Sequence, residues 1–356
     1  MKLITSTGFF NTGSSAVIHI LSEYNLFQDT STYEVRILYD SDCISDLEYN
    51  LVENSHRHNT SNAIKRFKRF VDFYSNSLLD HHYEKAFHGQ FKQLSYNYID
   101  SISEFKYYGE YYGDSYNRGK LFWFINRCYQ KLIRIVFKNG MPPSYIRKSL
   151  ISTKEVAYAG TMNQNKFLNS TKDYVRNLLT NISNNNYVLI DQFFPPSNVG
   201  RYLKYIPDDI EVKCFIVDRD PIDLFLLEKY FNNNNVIPVY DVNKYCEWYL
   251  WTRNQSTAYE TPDCVMRLQF EDLIYKYEET RNKILEFVGL KGYEACKQYK
   301  FFDPKKSVNN TQVLKRLKNI NNEEIDTIRK RLKDYLYKFP EKGLQPDYSS
   351  FNMFEC

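Results

Sequence analysis

Residues 8–15 have the composition of a loop that binds an anion. They follow a short apolar strand expected at residues 3–6 and precede a stripe of apolar residues with helical spacing. In that position, backbone N–H groups and a helix N-terminus favour phosphate or sulfate, and Ser14 and Ser15 add hydroxyl donors. The spacing of Gly8 and Gly13 matches the loop of nucleoside triphosphatases, but Ser14 stands where that loop requires lysine. The pattern predicts an anion-binding loop and disfavours a nucleoside triphosphatase, with a plain serine-capped turn as the alternative.

A second candidate group lies at the end of a predicted strand at residues 211–217. Arg219 and Asp220 follow that strand, and Pro221 begins a helix with Asp223 in its first turn. The planar guanidinium of Arg219 suits a phosphate because it can donate two parallel hydrogen bonds. The alternative is that Arg219 forms a structural ion pair with a neighbouring aspartate.

The third segment, residues 267–273, has the sequence RLQFEDL and leads into a predicted helix that ends at Gly289. Acidic residues at the start of a helix and a glycine at its end are typical of helix termini. By itself this segment predicts ordinary packing.

Strands and helices alternate around these segments. Apolar runs of strand length occupy residues 187–191, 211–217 and 265–268, and helical patterns connect or follow them. A further strand is predicted at residues 33–39, where apolar and polar residues alternate. Strands that alternate with helices predict a parallel sheet of the α/β class, with ligands bound beyond the carboxyl ends of the strands.

The segment from about residue 46 to residue 185 is predicted to be a large helical insertion between the first strands and the strand at 187–191. Two apolar stripes with helical spacing support this prediction: Ile64, Phe67, Phe70, Val71 and Tyr74, and Leu121, Phe124, Cys128, Leu132 and Val136. No linker composition flanks the segment, so we interpret residues 1–356 as a single domain.

The composition excludes several classes of protein. The chain has 356 residues and a formal net charge of +4, which is too small for nucleic-acid binding over the whole surface. Its seven cysteines form no C-x-x-C pair, so the common zinc and redox spacings are absent and a reducing compartment is favoured. No signal-peptide core and no run of 18 apolar residues is found. We therefore expect a cytoplasmic protein without a metal, a nucleic-acid partner or a stable membrane insertion.

In their order along the chain, the three segments resemble those of sulfotransferases that use 3′-phosphoadenosine-5′-phosphosulfate (PAPS). Residues 10–16, FNTGSSA, are similar to the family's 5′-phosphosulfate loop, residues 217–223, VDRDPID, to its 3′-phosphate motif, and residues 270–273, FEDL, to a third segment. The resemblance covers residues 1–25 and roughly 187–315, and it implies a P-loop-type parallel sheet flanked by helices. It implies cofactor binding by Asn11, Thr12, Gly13, Ser14, Ser15, Ala16 and Arg219.

Two positions depart from the family's pattern. Asn11 replaces the lysine that contacts the leaving phosphate, and Leu227 stands where the family often has a serine for the 3′-phosphate. Residues 305–311, KKSVNNT, match a basic cofactor segment that the family has near its C-terminus. Lys306 could supply the charge that Asn11 lacks and Ser307 a further contact. A solvated basic loop is the alternative.

Sulfuryl transfer needs a base that takes the proton of the acceptor. Enzymes that this chain resembles place a histidine, or in glycan enzymes a glutamate, at the end of the strand before the arginine strand. The corresponding acidic residue is Asp191, and a turn-capping role is its alternative. His56 and His58 form a rival titratable cluster.

These observations predict an enzyme that transfers a sulfuryl group from PAPS to a hydroxyl. The resemblance implies that this hydroxyl belongs to a carbohydrate of a cell-surface glycan. A sterol or lipid alcohol is the next acceptor class. A P-loop-type nucleotide kinase and a non-catalytic nucleotide-binding protein are the alternative functions. The sequence leaves the oligomeric state open.

Overall fold

The computed structural model describes residues 1–27, 31–109, 111–136, 156–183, 186–232, 235–255, 263–318 and 320–348. The chain divides into two compact units. The sheet unit consists of Met1–Leu38, Ala86–His88 and Leu178–Cys356, and the helical unit consists of Tyr39–Lys85 and Gly89–Asn177. The predicted insertion at 46–185 therefore corresponds largely to the helical unit, although its part from 137 to 155 lies outside the described residues. Whether the chain is a single domain stays a prediction.

The strands in chain order are β1 (Lys2–Gly8), β2 (Ser31–Glu34), β3 (Phe105–Tyr108), β4 (Val156–Ala159), β5 (Tyr187–Asp191), β6 (Glu211–Asp218) and β7 (Val265–Gln269). The helices are α1 (Ser15–Leu21), α2 (Ile44–Glu48), α3 (Arg57–Tyr74), α4 (His82–Ala86), α5 (Phe91–Ser101), α6 (Tyr112–Asn117), α7 (Lys120–Val136), α8 (Gln164–Ile182), α9 (Val199–Tyr202), α10 (Pro221–Leu227), α11 (Val242–Asn254), α12 (Asp272–Tyr275), α13 (Tyr277–Val288), α14 (Pro304–Ser307) and α15 (Asn322–Arg331).

The sheet unit contains a five-stranded parallel sheet in the order β2-β5-β1-β6-β7, flanked by helices. This arrangement confirms the predicted α/β class and the parallel sheet. β1 lies at the centre, and Ser6 pairs with Asp191 of β5 on one side and with Phe215 of β6 on the other. The chain leaves β1 towards one edge and later returns on the opposite side, so the strand order changes direction beside β1. Ligands of open parallel sheets bind at such a point, beyond the strand carboxyl ends.

Two apolar clusters hold the sheet unit together. The first packs α1, α12 and α13 against the sheet, with Ile4, Val17, Leu189 and Phe215 fully or almost fully buried. The second joins α10, α11 and α15 through residues that include Leu227, which is completely buried. Both clusters place the helices that follow β1, β6 and β7 against the body of the unit. The loops at the carboxyl ends of these strands are therefore held by packed elements on both sides.

The predicted strand at residues 33–39 is wrong in its extent. The structure has a strand at Ser31–Glu34, and the chain turns at residues 37–39. The last paired residue, Glu34, lies opposite Asp191, where the neighbouring strand β5 also ends. No ladder partner continues beyond that point among the described residues of β5. The apolar residues Val35 and Ile37 are buried by packing, and their alternation does not indicate a longer strand.

The helical unit packs mainly aromatic side chains. Phe67 of α3 and Phe91 of α5 are fully buried, and the rings of Tyr98 and Tyr174 stack with a centroid distance of 4.5 Å. The two tyrosine hydroxyls bond Thr171 and Ser95, at 2.8 and 2.6 Å, so the buried polar groups are satisfied. The sequence did not predict the antiparallel pair of β3 and β4 within this unit.

The apolar stripe predicted at residues 121–136 forms the helix α7, but the structure exposes it. Leu121 and Leu132 are 74% and 62% exposed, and the only fully buried residue of this helix is Asn126. Helical spacing identifies an apolar face, whereas the surrounding structure decides whether that face enters a core. Among the described residues, no helix is both long enough and apolar enough to span a membrane.

Candidate functional site

The loop between β1 and α1 has a tightly constrained backbone. Phe10, Asn11 and Gly13 have φ angles of 69°, 54° and 84°, in the left-handed region. The side chain of Thr12 bridges the loop, because its hydroxyl accepts a bond from Phe9 N at 3.2 Å and donates one to the carbonyl of Val217 at 2.7 Å. The loop is thereby attached to the end of β6, next to the arginine motif.

Glycine is required at the centre of this loop for two reasons. Besides its positive φ, a Cβ atom on Gly13 would lie 2.4 Å from a ring carbon of Phe270, which follows β7. The close approach brings the loop against the third sequence segment. Gly8 has a related role, since a Cβ atom there would lie 2.1 Å from the Thr12 hydroxyl. The loop is packed too closely against Phe270 at Gly13, and against Thr12 and Val217 at Gly8, for a side chain at either position.

Replacing Gly13 with alanine is therefore expected to destabilise the protein more than the same change at Gly292. Gly292 has almost the same φ, 85°, but open space around its Cβ position. Both substitutions put a side chain on a backbone in the left-handed region, which costs about 1–2 kcal/mol. Only Gly13→Ala also creates a steric clash, which costs about 1–3 kcal/mol. Urea unfolding of the two variants measures the difference. Equal losses would show that Phe270 moves aside freely.

A cavity of about 130 Å³ lies beyond the carboxyl ends of the central strands. Its walls come from the loop, the start of α1, the arginine motif, the third segment and the basic C-terminal segment: Asn11, Gly13, Ser15, Ala16, His19, Arg219, Phe270, Phe302, Ser307 and Asn310. Four segments that sequence analysis singled out separately thus meet at one site. Of the predicted cofactor residues, Thr12 and Ser14 do not line this cavity and instead hold the loop, Ser14 by accepting a bond from the Ser6 hydroxyl at 2.8 Å.

Three polar atoms around this cavity have no hydrogen-bond partner among the described residues. They are Arg219 Nε, Ser307 Oγ and His19 Nδ1, and each is buried. An unsatisfied buried donor costs about 1–3 kcal/mol, so such a group in a native site calls for a partner. Arg219 and Ser307 offer donors, and burial lowers the pKa of His19, which favours its neutral form. These groups suit a ligand that accepts hydrogen bonds.

Arg219 is 4% exposed and is held from two sides. Its Nη1 donates to the Asn11 carbonyl at 3.4 Å, its Nη2 donates to the Asn310 carbonyl, and its guanidinium lies 4.5 Å from the ring centroid of Phe270. The ion pair of this motif is instead formed by Asp218, which contacts Arg253 at 2.6 Å. Arg219 therefore links the loop to the C-terminal segment and keeps one donor available.

Buried carboxyl groups surround Arg219. Burial raises the pKa of Glu271 to about 8 and that of Asp223 to about 7, and in both cases the carboxylate of Asp220 adds to the increase. Glu271 accepts a bond from Asp220 N at 2.9 Å, and Asp223 accepts bonds from Gln312 N and Val313 N, both at 2.8 Å. These acids position the arginine motif and the C-terminal segment by bonding their backbone. Their elevated pKa values favour protonation near neutral pH, and burial lowers the pKa of Arg219 itself.

Asp191 lies at the end of β5, as predicted, and contacts the loop. Its Oδ2 accepts a bond from the Ser15 hydroxyl at 2.8 Å, and its Oδ1 has no partner among the described residues. Burial raises the pKa of Asp191 to about 7, and the bond from Ser15 opposes this increase. A carboxyl group with a free oxygen and a pKa near neutrality can accept a proton from a ligand. Asp191 adjoins the cavity through Ser15 and does not line it.

The raised pKa of Asp191 makes an expected contribution to stability. A group that binds its proton more tightly in the folded state stabilises the fold at low pH, and this contribution is lost as pH rises from about 4 to about 7. Wild type is expected to lose about 2 kcal/mol more of its unfolding free energy than Asp191→Asn between pH 5 and pH 7. Denaturant unfolding of both proteins at both pH values tests this, and contributions from Glu271 and Asp223 cancel in the comparison. Parallel pH profiles would show that Asp191 titrates normally.

The other predicted residues have different surroundings. Lys306 is exposed and is not among the lining residues, so its role as the missing cation stays a prediction. The side-chain amide of Asn11 donates to the carboxylate of Glu228. His56 caps α3 in the helical unit, and the ring of His58 stacks on Tyr111 with a centroid distance of 3.6 Å.

Sequence analysis did not identify two residues that line the cavity, His19 and Phe302, and it included Asn310 only as part of the segment 305–311. His19 lies four residues after Ser15, one helical turn further along α1, so the i+4 spacing could have indicated it. Phe302 is brought in by the fold of the C-terminal segment and carried no local signal. Within the described part of the chain, no group of three or more His, Cys, Asp or Glu side chains could hold a metal ion.

The function of this protein has to be inferred from the residues of this chain. No protein-family model, no curated protein sequence and no solved structure matches it.

Proposed function

We propose that this protein is a sulfotransferase that moves a sulfuryl group from PAPS to a hydroxyl acceptor, and that the acceptor is a carbohydrate. One observation carries the proposal: the segments that resemble the family's cofactor motifs line one cavity, although they are up to about 300 residues apart in the sequence. The buried donors Arg219 Nε and Ser307 Oγ, which have no partner among the described residues, border the same cavity.

In this proposal each group has a defined task. Asp191 accepts the proton of the acceptor hydroxyl, whose oxygen then forms a bond to sulfur while the bond from sulfur to the phosphate oxygen breaks. Ser15 orients Asp191 through its hydroxyl. The backbone of residues 13–15 and the side chain of Arg219 hold the phosphate groups, because donors fixed in advance stabilise developing negative charge. The acidic base is the feature that resembles the glycan enzymes and favours a sugar hydroxyl.

The size of the cavity limits what it can enclose. At about 130 Å³ it is smaller than the roughly 300–1,000 Å³ of typical small-molecule sites. It would therefore enclose a phosphate or sulfate group, with the nucleoside lying outside. The aromatic rings of Phe270 and Phe302 form part of its wall. The proposal thus places the charged end of PAPS in the cavity.

Thermal denaturation with nucleotides tests the proposed donor class. Adenosine 3′,5′-bisphosphate at 100 times its Kd is expected to stabilise the protein by about 2.7 kcal/mol, because only the folded state binds it. Equal concentrations of 5′-AMP, ATP and GTP serve as controls and are expected to stabilise it much less. A larger effect of ATP or GTP would favour a nucleotide kinase. No stabilisation by any of the four would refute a nucleotide site.

A second candidate function is a nucleotide-binding protein without catalytic activity. The observation that favours it is the bond from Asn11 to Glu228, which places a carboxylate beside the residue that stands where the sulfotransferase loop has a lysine. A negative group there would oppose charge build-up on the departing phosphate. Binding of adenosine 3′,5′-bisphosphate together with no transfer from PAPS to any sugar, sterol or lipid alcohol would identify this function.

A further inference from the structure

Helix α7 (Lys120–Val136) of the helical unit exposes one continuous apolar face. Seven residues with helical spacing form it, and all are exposed: Leu121, Phe124, Ile125, Cys128, Leu132, Ile135 and Val136. The opposite side of the helix packs on the unit through Asn126, whose amide donates to the Ser115 hydroxyl at 3.0 Å. An exposed apolar face this large is unusual for a protein surface and marks an interaction site.

The charged residues in and around this stretch of the sequence have a single sign. The sequence from Ser115 to Lys154 contains nine basic residues and no acidic residue: Arg118, Lys120, Arg127, Lys131, Arg134, Lys138, Arg147, Lys148 and Lys154. In α7 the basic residues fall along one edge of the apolar face, since Lys120, Arg127, Lys131 and Arg134 share a stripe at helical spacing. The guanidinium of Arg127 lies 5.3 Å from the ring centroid of Trp123. Apolar face, flanking cations and aromatic rings together form the pattern of a helix that lies in a membrane interface.

A basic cavity of about 710 Å³ adjoins the start of the same helix. Its charged lining residues are the cations Lys65, Lys68, Arg69 and Arg118 and the carboxylates Asp72 and Asp114. Lys65 pairs with Asp114 and Lys68 with Asp72, both at 2.8 Å, and cations outnumber carboxylates by four to two among the described lining residues. Its volume and charge suit the phosphate-bearing headgroup of a lipid.

We propose that α7 lies in the surface of an anionic membrane and that the basic cavity at its start receives a phosphate headgroup of that membrane. The charge complementarity selects this occupant: a protein partner would have to be both apolar and strongly acidic over the same patch, whereas an anionic bilayer combines these properties. The identity of the acceptor rests on the proposed function: it would be a glycan carried by an anionic lipid. Membrane binding itself requires no sulfuryl transfer.

Vesicle flotation of the full-length chain tests the proposal. Wild type is expected to float with vesicles of two parts phosphatidylcholine to one part phosphatidylglycerol, and much less with phosphatidylcholine alone. Leu132→Glu with Ile135→Glu is expected to abolish flotation. The matched control is Leu78→Glu with Leu79→Glu, which also adds two charges at exposed leucines of this unit and is expected to float like wild type. Circular dichroism confirms that each variant is folded.

The charge contribution is tested separately. Lys131→Gln with Arg134→Gln is expected to weaken partitioning into the anionic vesicles by about 30-fold, and high salt should weaken wild-type binding in the same direction. Arg69→Gln is expected to weaken binding to anionic vesicles without an effect on neutral ones. These variants leave the residues assigned to sulfuryl transfer unchanged, so their failure does not affect the proposed function.

Four results would overturn the proposal. The first is no flotation of wild type with either vesicle. The second is flotation of the Leu132→Glu, Ile135→Glu variant at the wild-type level. The third is a dimer in sedimentation analysis that this variant dissociates, with no vesicle binding, which would assign the apolar face to a second copy of the chain. If inorganic phosphate raises the thermal midpoint while vesicles do not bind, the cavity is a site for free phosphate and the membrane proposal fails.

Discussion

Replacing Asp191 with asparagine is expected to slow sulfuryl transfer from PAPS by about 10²–10⁴-fold, the usual effect of losing a general base. The carboxyl group has a free Oδ1, a bond from Ser15 that orients Oδ2, and a pKa that burial raises to about 7. Asparagine keeps the size and can still accept the bond from Ser15, but it cannot take up a proton. Affinity for adenosine 3′,5′-bisphosphate is therefore expected to remain close to that of wild type.

The pH dependence of the wild-type reaction provides a second measure of the same role. A base acts in its ionised form, so kcat/KM is expected to rise with pH and to level off above about 7. His56→Ala and His58→Ala are the control variants and are expected to retain activity. Full activity of Asp191→Asn, together with loss of activity in either histidine variant, would assign the base to the histidines of the helical unit.

Replacing Arg219 with alanine is expected to weaken binding of adenosine 3′,5′-bisphosphate by tenfold or more. A charge-assisted hydrogen bond contributes about 1.5–3 kcal/mol, which corresponds to this factor. The change also removes the bonds that join the Asn11 and Asn310 carbonyls, so a loss of stability is expected as well. Arg219→Lys separates the two effects, because it keeps the charge and loses the planar fork.

Isothermal titration calorimetry with adenosine 3′,5′-bisphosphate and 5′-AMP measures the contribution of the second phosphate. Wild type is expected to prefer the bisphosphate, and Arg219→Lys is expected to lose most of that preference while remaining folded. Ser307→Ala tests the other unpartnered donor at the cavity and is expected to have a smaller effect, because its hydroxyl is neutral. If wild type binds both nucleotides equally, Arg219 is a structural residue and the two-phosphate interpretation is wrong.

The sequence by itself determined the class of fold and the order of the candidate site segments. Strand and helix periodicities are local properties, so the apolar runs that became β5, β6 and β7 were recognised within one or two residues of their ends. The loop at residues 8–15 and Arg219 could be placed at strand ends for the same reason. Parallel strands carry their carboxyl ends to one edge, and the cavity lies there.

Only the tertiary structure decided which of these residues are in contact and how their surroundings change their pKa values. The bond between Ser15 and Asp191 depends on β5 being the neighbour of β1, and the carboxyl groups around Arg219 come from segments more than 40 residues apart. Their raised pKa values follow from burial, which no local pattern specifies. The apolar stripe of α7 shows the same limit: its spacing identified a helix face, and only the packing around it determined that the face is exposed. Burial and contacts depend on residues that are distant in the sequence, whereas periodicity depends only on residues that are close in the sequence.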